Sequence, residues 1–304
     1  MSRDALVVGI NSYKHLPNLT APAIDAENIA QRLASNGDFY VWRSPEILDN
    51  QKPRIGKQAP VTLPILKRAL VQLFKPSSTQ IPETALFYFS GHGVREDLGI
   101  LEGYLATSDA NPDNGNFGLS LQWLRRLLVD SPIKEQVIWL DCCHSGELLN
   151  FDEANPGHRG QGKSCCFIAS SRDFEVSYQD IASDYSVLTK ALLQVLESSK
   201  HSGEWVTNYS LIDTLKDNFK GEAIIQRPIY FNFGRPIQLI HSTVQTKTAV
   251  IAHPVSSVCP YKGLSYFDLQ DVEYFYGREA LTNQLLDLPL PEAPTIARKF
   301  FWRI

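Results

Sequence analysis

Short apolar runs alternate along the chain with stretches whose apolar residues recur at helical spacing. The runs predict strands at Ala5–Asn11, Ala85–Ser90, Gln136–Leu140, Cys166–Ser170 and Ile229–Phe233. The periodic stretches predict helices at Ala23–Asn36, Leu63–Phe74, Leu119–Val129, Ser186–Glu197 and Ser210–Phe219. The first three strands are apolar nearly throughout, which is expected where helices cover both faces of a sheet. This alternation predicts an α/β fold.

Two segments interrupt these patterns and are predicted to be loops. Arg43–Pro60 carries three prolines, and Asn150–Lys163 combines Asn, Pro, glycines and charges. After Phe233 the pattern fades into a stretch rich in Ser, Thr and Val. We therefore expect one domain over residues 1–240, a linker over 241–258 and a separate segment over 259–304.

Charge and composition narrow the classes of function. A formal net charge of −4, without a basic stripe, makes nucleic acid an unexpected partner. No apolar stretch approaches the ~20 residues of a membrane span, and the first residues do not resemble a secretory leader. The cytoplasm is the expected location, with no membrane association.

The five cysteines include two vicinal pairs, which form a poor disulfide framework, so reduced thiols are expected. Structural zinc is disfavoured, because the adjacent side chains of the Cys-Cys-His run 142–144 cannot surround one tetrahedral ion without strain. We expect Cys142, Cys165 and Cys166 to pack in the core.

Polar residues follow two of the buried strands, in the segments FYFSGHGV (Phe87–Val94) and VIWLDCCHSG (Val137–Gly146). Open α/β sheets place their sites at such strand ends. A thiol there is a good nucleophile only as its thiolate, which the His92 imidazole can generate. The glycines beside His92, including Gly93, allow a sharp turn, and backbone N–H groups near the site could form an oxyanion hole.

The sequences SGHG at 90–93 and DCCHSG at 141–146 resemble the catalytic motifs of metacaspases and of their prokaryotic relatives, the orthocaspases. The interval of about 50 residues between histidine and cysteine is the one found in caspases. The resemblance assigns Cys143, rather than Cys142, as nucleophile and His92, rather than His144, as its partner. It extends over roughly residues 1–240 and implies a caspase-like α/β/α sandwich with a mostly parallel sheet of about six strands.

The same resemblance implies an acidic S1 pocket, the site that receives the P1 side chain before the cleaved bond. The positions that match are Asp141 and Asp25, and Asp173 or Glu175 lies where relatives complete the pocket. Two buried carboxylates would bind guanidinium or ammonium by charge-assisted hydrogen bonds and reject an aspartyl side chain. The expected substrates are therefore proteins or peptides with Arg or Lys at P1.

The cysteine and histidine need no cofactor, and no metal site is predicted. Metacaspases often require calcium through an aspartate cluster. Only scattered residues such as Asp97, Asp109 and Asp113 are candidates here, which leaves calcium dependence open. The loop after the nucleophile contains Arg159 and Lys163, so self-cleavage there is a hypothesis.

The segment Cys259–Glu279 resembles the lead-in to a STAND-type P-loop NTPase module. No P-loop sequence follows it, so nucleotide binding is not expected. The resemblance implies a regulatory protein module in a longer parent protein.

Two other functions stay open from the sequence. The first is a non-enzymatic adaptor, against which the paired His92 and Cys143 argue. The second is a cysteine hydrolase acting on amides other than peptides, against which the acidic pocket argues.

Overall fold

The computed structural model describes residues 2–77, 80–97, 99, 101–142, 162–170, 185–197, 205–219 and 228–241. The strands are β1 (Arg3–Gly9), β2 (Tyr40–Ser44), β3 (Glu46–Asp49), β4 (Lys52–Ile55), β5 (Thr84–Ser90), β6 (Gly93–Asp97), β7 (Leu101–Leu105), β8 (Leu119–Ser120), β9 (Glu135–Asp141), β10 (Ser164–Ala169), β11 (Trp205–Thr207), β12 (Ile229–Phe233) and β13 (Gln238–His241). The helices are α1 (Pro22–Asn36), α2 (Leu63–Phe74), α3 (Leu121–Val129), α4 (Val187–Glu197) and α5 (Asn208–Asn218).

Six strands form the central sheet in the order β12-β10-β9-β5-β1-β2. All neighbours are parallel except β12, which runs antiparallel to β10 at one edge. The predicted α/β fold with a mostly parallel sheet of about six strands is therefore confirmed. The strand β5 lies between β9 and β1 and is buried along its whole length, which explains why its sequence is apolar nearly throughout.

Helices cover both faces of this sheet. On one face, α1, α4 and α5 pack around Tyr88 and Trp139. On the other face, α2 and α3 pack around Phe87 and Phe89. Neighbouring residues of β5 point to opposite faces, so one strand supplies both cores.

The prediction of a loop over Arg43–Pro60 is wrong. This region contains the end of the edge strand β2 and the hairpin of β3 and β4. Its prolines indicated a loop, but Pro53 lies in the two-stranded ladder of β3 and β4, where a missing N–H donor is tolerated. The predicted helix Leu119–Val129 also begins later, because its first two residues form β8 and the Ser120 side chain caps α3 by accepting from the Trp123 N–H at 3.2 Å.

A second sheet, made of β6, β7 and β8, was not predicted. Its strands are short, and β6 is polar and partly exposed, so the sequence carries little apolar periodicity there. The sheet begins directly after His92. Its hydrogen bonds therefore fix the position of the chain that directly follows His92.

Several predictions concern residues outside the described ranges. Of the loop 150–163 only its last two residues are described, and the linker and the segment 259–304 are not. None of the described helices is both long and apolar enough to cross a membrane.

Candidate active site

The site is built on one row of residues across the sheet. Gly9 of β1 is paired in register with Ser90 of β5, and Ser90 is paired with Asp141 of β9. Residues paired in this way in neighbouring parallel strands point to the same face. The row therefore brings Ser90 and Asp141 side by side at the carboxyl edge of the sheet, next to the start of α1.

Gly9 allows α1 to approach the sheet closely. A Cβ atom at this position would lie 2.4 Å from the Pro22 carbonyl oxygen and 2.7 Å from the Ala26 Cβ. This close packing brings Asp25, in the first turn of α1, over the row. Asp25 is fully buried, and the Ser90 hydroxyl donates to its Oδ2 at 3.3 Å.

The N-terminal end of α4 connects the two carboxyl groups. The backbone N–H of Ser186 donates to Asp25 Oδ1 at 3.2 Å, and its hydroxyl donates to Asp141 Oδ2. Thr189 donates to the same Asp141 oxygen twice, from its backbone N–H at 3.1 Å and from its hydroxyl at 2.6 Å. We call Asp25 and Asp141 the acidic pair.

Burial of the acidic pair opposes its full ionisation. The pKa of Asp25 is raised to about 8, first by burial and then by the charge of Asp141. Burial also raises the pKa of Asp141, while the hydrogen bonds from Ser186 and Thr189 act in the opposite direction. At neutral pH the pair therefore holds a proton that an entering cation could displace.

His92 is held by contacts on both its backbone and its ring. Its Nε2 lies 2.8 Å from the Pro17 carbonyl oxygen. Because a carbonyl can only accept, Nε2 carries the proton, and in the neutral imidazole Nδ1 is left as the basic nitrogen. The His92 backbone N–H donates to the Tyr13 hydroxyl at 2.9 Å, and the centroids of the His92 and Tyr13 rings lie 4.8 Å apart.

Gly91 is required by this arrangement. A Cβ at Gly91 would lie 2.6 Å from the Tyr13 hydroxyl.

Burial lowers the pKa of His92, which the hydrogen bond to Pro17 partly opposes. The imidazole is therefore neutral at neutral pH and able to take a proton from a thiol.

Cys143 and Asp173 lie outside the described residues, as do His144 and Glu175. The last residue described before Cys143 is Cys142, whose carbonyl accepts from the Ser170 hydroxyl at 2.8 Å. Gly93 begins β6, where its partner is Leu105. Its role in an oxyanion hole stays a prediction.

The other cysteines differ in burial. Cys142 and Cys166 are buried, whereas Cys165 is only partly buried, so the expectation of core packing is wrong for Cys165. Cys165 lies in β10 opposite Phe233 of the antiparallel edge strand, where the sheet face is incompletely covered. Burial raises the pKa of Cys165 to about 11 and that of Cys166 to about 12, which disfavours the reactive thiolate at both.

Within the described parts of the chain, no three His, Cys, Asp or Glu side chains are grouped as a metal site. One of the scattered aspartates has another role. Asp109 accepts from the Thr107 hydroxyl at 2.7 Å and from the Leu63 N–H at the start of α2 at 3.1 Å.

Sequence reasoning missed Tyr13, Pro17, Tyr88, Ser186 and Thr189. A signal existed for three of them. Tyr88 is a polar group inside an apolar strand, Ser186 directly precedes α4, and Thr189 lies among the apolar, buried positions of that helix. Tyr13 and Pro17 act through a hydroxyl and a backbone carbonyl in an irregular segment, which no periodicity reveals.

Comparison with known proteins agrees with this architecture. The family model described as "Caspase domain", a peptidase family, matches residues 2–234. The chain belongs to the caspase domain family, and membership supports cysteine peptidase chemistry.

A solved structure, protein GSU0716 from Geobacter sulfurreducens, is similar with a TM-score of 0.54 and 17% sequence identity. The match covers 80% of this chain and 98% of that one. At this identity the similarity concerns the fold. No curated protein matches the chain.

Proposed function

We propose that the chain is a cysteine endopeptidase of the metacaspase or orthocaspase kind that cleaves peptide bonds after Arg or Lys. The acidic pair carries this proposal. Two carboxyl groups from different elements, Asp25 on α1 and Asp141 on β9, are buried together and share the donor Ser186. Burying two carboxyl groups side by side costs free energy, and a guanidinium or ammonium group bound between them would offset that cost.

The chemistry requires a nucleophile and one proton carrier. Nδ1 of His92 takes the proton of the Cys143 thiol, and the thiolate attacks the peptide carbonyl carbon. The imidazolium then gives the proton to the leaving amine, and water hydrolyses the thioester, regenerating the thiol. The Pro17 carbonyl holds the ring throughout and stabilises the positive charge that His92 carries after the first step.

The acidic pair also determines which substrates are rejected. An aspartyl side chain would add a third carboxylate to a site without enough donors, whereas a neutral isostere of arginine would lose the charge attraction. The proposal therefore separates this chain from peptidases that cleave after aspartate.

The test is hydrolysis of fluorogenic peptides that differ only at P1, carrying Arg, Lys, citrulline or Asp. We expect cleavage after Arg and Lys, little after citrulline and none after Asp. Cys143→Ala should abolish all activity, while Cys166→Ala, a change at a buried thiol, serves as the matched control. Measuring each reaction with calcium and with a chelator settles the calcium question.

The outcomes distinguish the alternatives. Preference for Asp at P1 would contradict the role of the acidic pair. Hydrolysis of small amides without cleavage of any peptide would indicate a different cysteine hydrolase. Complete inactivity of intact and proteolytically nicked protein, with calcium present, would favour the adaptor function.

A further inference from the structure

We propose that Thr189 is a specificity-determining positioning residue of the acidic pair: it keeps Asp141 as the charged carboxylate, so that the displaceable proton of the pair sits on Asp25. This inference rests on the proposed function for its kinetic consequence.

With Asp141 ionised, as proposed, the direction of the hydrogen bonds around Thr189 follows from counting protons. The Thr189 hydroxyl has a single proton, and its 2.6 Å contact is with an Asp141 oxygen. Its second contact, 2.5 Å from the Tyr88 hydroxyl, is therefore one in which Tyr88 donates and Thr189 accepts. Tyr88, Thr189 and Asp141 form a chain of donors that ends on the carboxylate.

Asp141 and Asp25 differ in the donors that they receive. Asp141 Oδ2 accepts from the Thr189 hydroxyl, the Thr189 N–H and the Ser186 hydroxyl. Asp25 accepts two longer bonds, from the Ser186 N–H at 3.2 Å and the Ser90 hydroxyl at 3.3 Å. Donors stabilise the charged form, so Asp141 ionises first.

The titratable groups that act on one another here are the two carboxyl groups of the acidic pair and the phenol of Tyr88. Tyr88 on β5 lies beside the pair, and burial together with the two carboxyl charges raises the pKa of its phenol, which keeps the donor protonated. Burial, and then the charge of Asp141, raises the pKa of Asp25. From α4 the pair is faced by the neutral donors Ser186 and Thr189.

Three variants isolate the hydroxyl. Thr189→Val keeps the shape and the backbone N–H but removes the donor to Asp141. Thr189→Ser restores it. Thr214→Val is the matched control, because the Thr214 hydroxyl donates to the Ser210 carbonyl within α5, away from the acidic pair.

The first measurement needs no enzymatic activity. Carbon-13 NMR of protein labelled at aspartate Cγ follows the titration of each carboxyl, with Asp141 and Asp25 assigned from Asp141→Asn and Asp25→Asn. We expect Asp141 to titrate below Asp25 in the unaltered protein. In Thr189→Val its midpoint should rise by about one to two pH units, as expected for the loss of one hydrogen bond to a charged group.

Thr189→Ser should return the Asp141 midpoint to that of the unaltered protein, and Thr214→Val should leave it unchanged. An unchanged midpoint in a folded Thr189→Val protein would overturn the inference, as would a lower midpoint for Asp25 than for Asp141. If Thr189→Val does not fold, Thr189→Ala removes the same hydroxyl without placing a methyl group against the carboxylate, and the same criterion applies.

The second measurement links the hydrogen bond to specificity. With an Arg substrate at pH 7, we expect Thr189→Val to raise KM about tenfold while kcat changes less than threefold, since the hydroxyl does not contact the reacting atoms. The rate of alkylation of Cys143 by iodoacetamide should not change. If the unaltered protein cleaves no basic substrate, the proposed function fails, while the NMR titration still decides the inference.

Discussion

Nε2 of His92 lies 2.8 Å from the carbonyl oxygen of Pro17, so the ring presents Nδ1 as its free basic nitrogen. Burial lowers the pKa of this imidazole below its ordinary value of 6.5. We therefore expect the acid limb of kcat/KM, measured with a citrulline substrate that leaves the acidic pair unaffected, to lie below pH 6.5. An acid limb above pH 7 would contradict the burial argument.

The acidic pair predicts a second pH dependence that only charged substrates show. Asp25 has a pKa of about 8 in the free protein, so below that pH a cationic side chain must displace a proton to bind. The ratio of kcat/KM for Arg over citrulline should therefore rise with pH and level off near pH 8, with a slope of up to roughly tenfold per pH unit. A ratio independent of pH between 6 and 8 would show that the pair binds its cation without losing a proton.

Asp25→Asn should make the protein more stable at high pH while weakening cleavage after Arg. An acid whose folded pKa is raised binds more protons when folded, so its contribution falls as pH rises from its unfolded pKa near 4 towards 8. Removing it should increase the free energy of unfolding at pH 8, relative to pH 5, by on the order of 2 to 4 kcal/mol. Urea unfolding at the two pH values measures this difference. An equal effect at both would contradict the raised pKa.

Tyr13→Phe should impair His92 without touching the acidic pair. The change leaves the His92 backbone N–H without the phenolic acceptor, at a cost in unfolding free energy of about 1 kcal/mol. We expect kcat to fall about tenfold for Arg and citrulline substrates alike, because small displacements of a catalytic group reduce rates strongly. Tyr40→Phe, at a position 68% exposed, is the control. Full activity of Tyr13→Phe would show that Pro17 alone positions the ring.

Gly9→Ala should affect the opposite part of the site. The added methyl group would lie 2.4 Å from the Pro22 carbonyl oxygen, so α1 must move away from the sheet and carry Asp25 with it. The expected loss is about 1 to 3 kcal/mol of unfolding free energy. KM for Arg should rise while KM for citrulline changes little, and an equal change in both would indicate general damage to the fold.

The parts of the fold that follow from burial could be predicted from the sequence. The strand β5 is apolar nearly throughout, and the apolar residues of α2 recur at helical spacing. Asp25 and Asp141, in contrast, were predicted to share a pocket from the resemblance to metacaspases. The strand β2 was missed, since its partly exposed edge position and the following Pro45 hide the apolar pattern. Thr189 was not predicted as a site residue, because its role depends on the distance between α4 and β9, which is set by packing across the sheet.

The in-register row of Gly9, Ser90 and Asp141 makes the placement of the acidic pair depend on the lengths of the central strands. Inserting or deleting one residue within β5 or β9 would turn the following side chains to the opposite face and separate Asp141 from Ser90, whatever the chemical nature of the inserted residue. The hairpin of β3 and β4 is constrained in another way, because Ile55 packs in the core and its N–H donates to Glu27 of α1 at 2.9 Å. Redesign of this protein must therefore preserve the residue count of its central strands to keep Ser90 and Asp141 side by side.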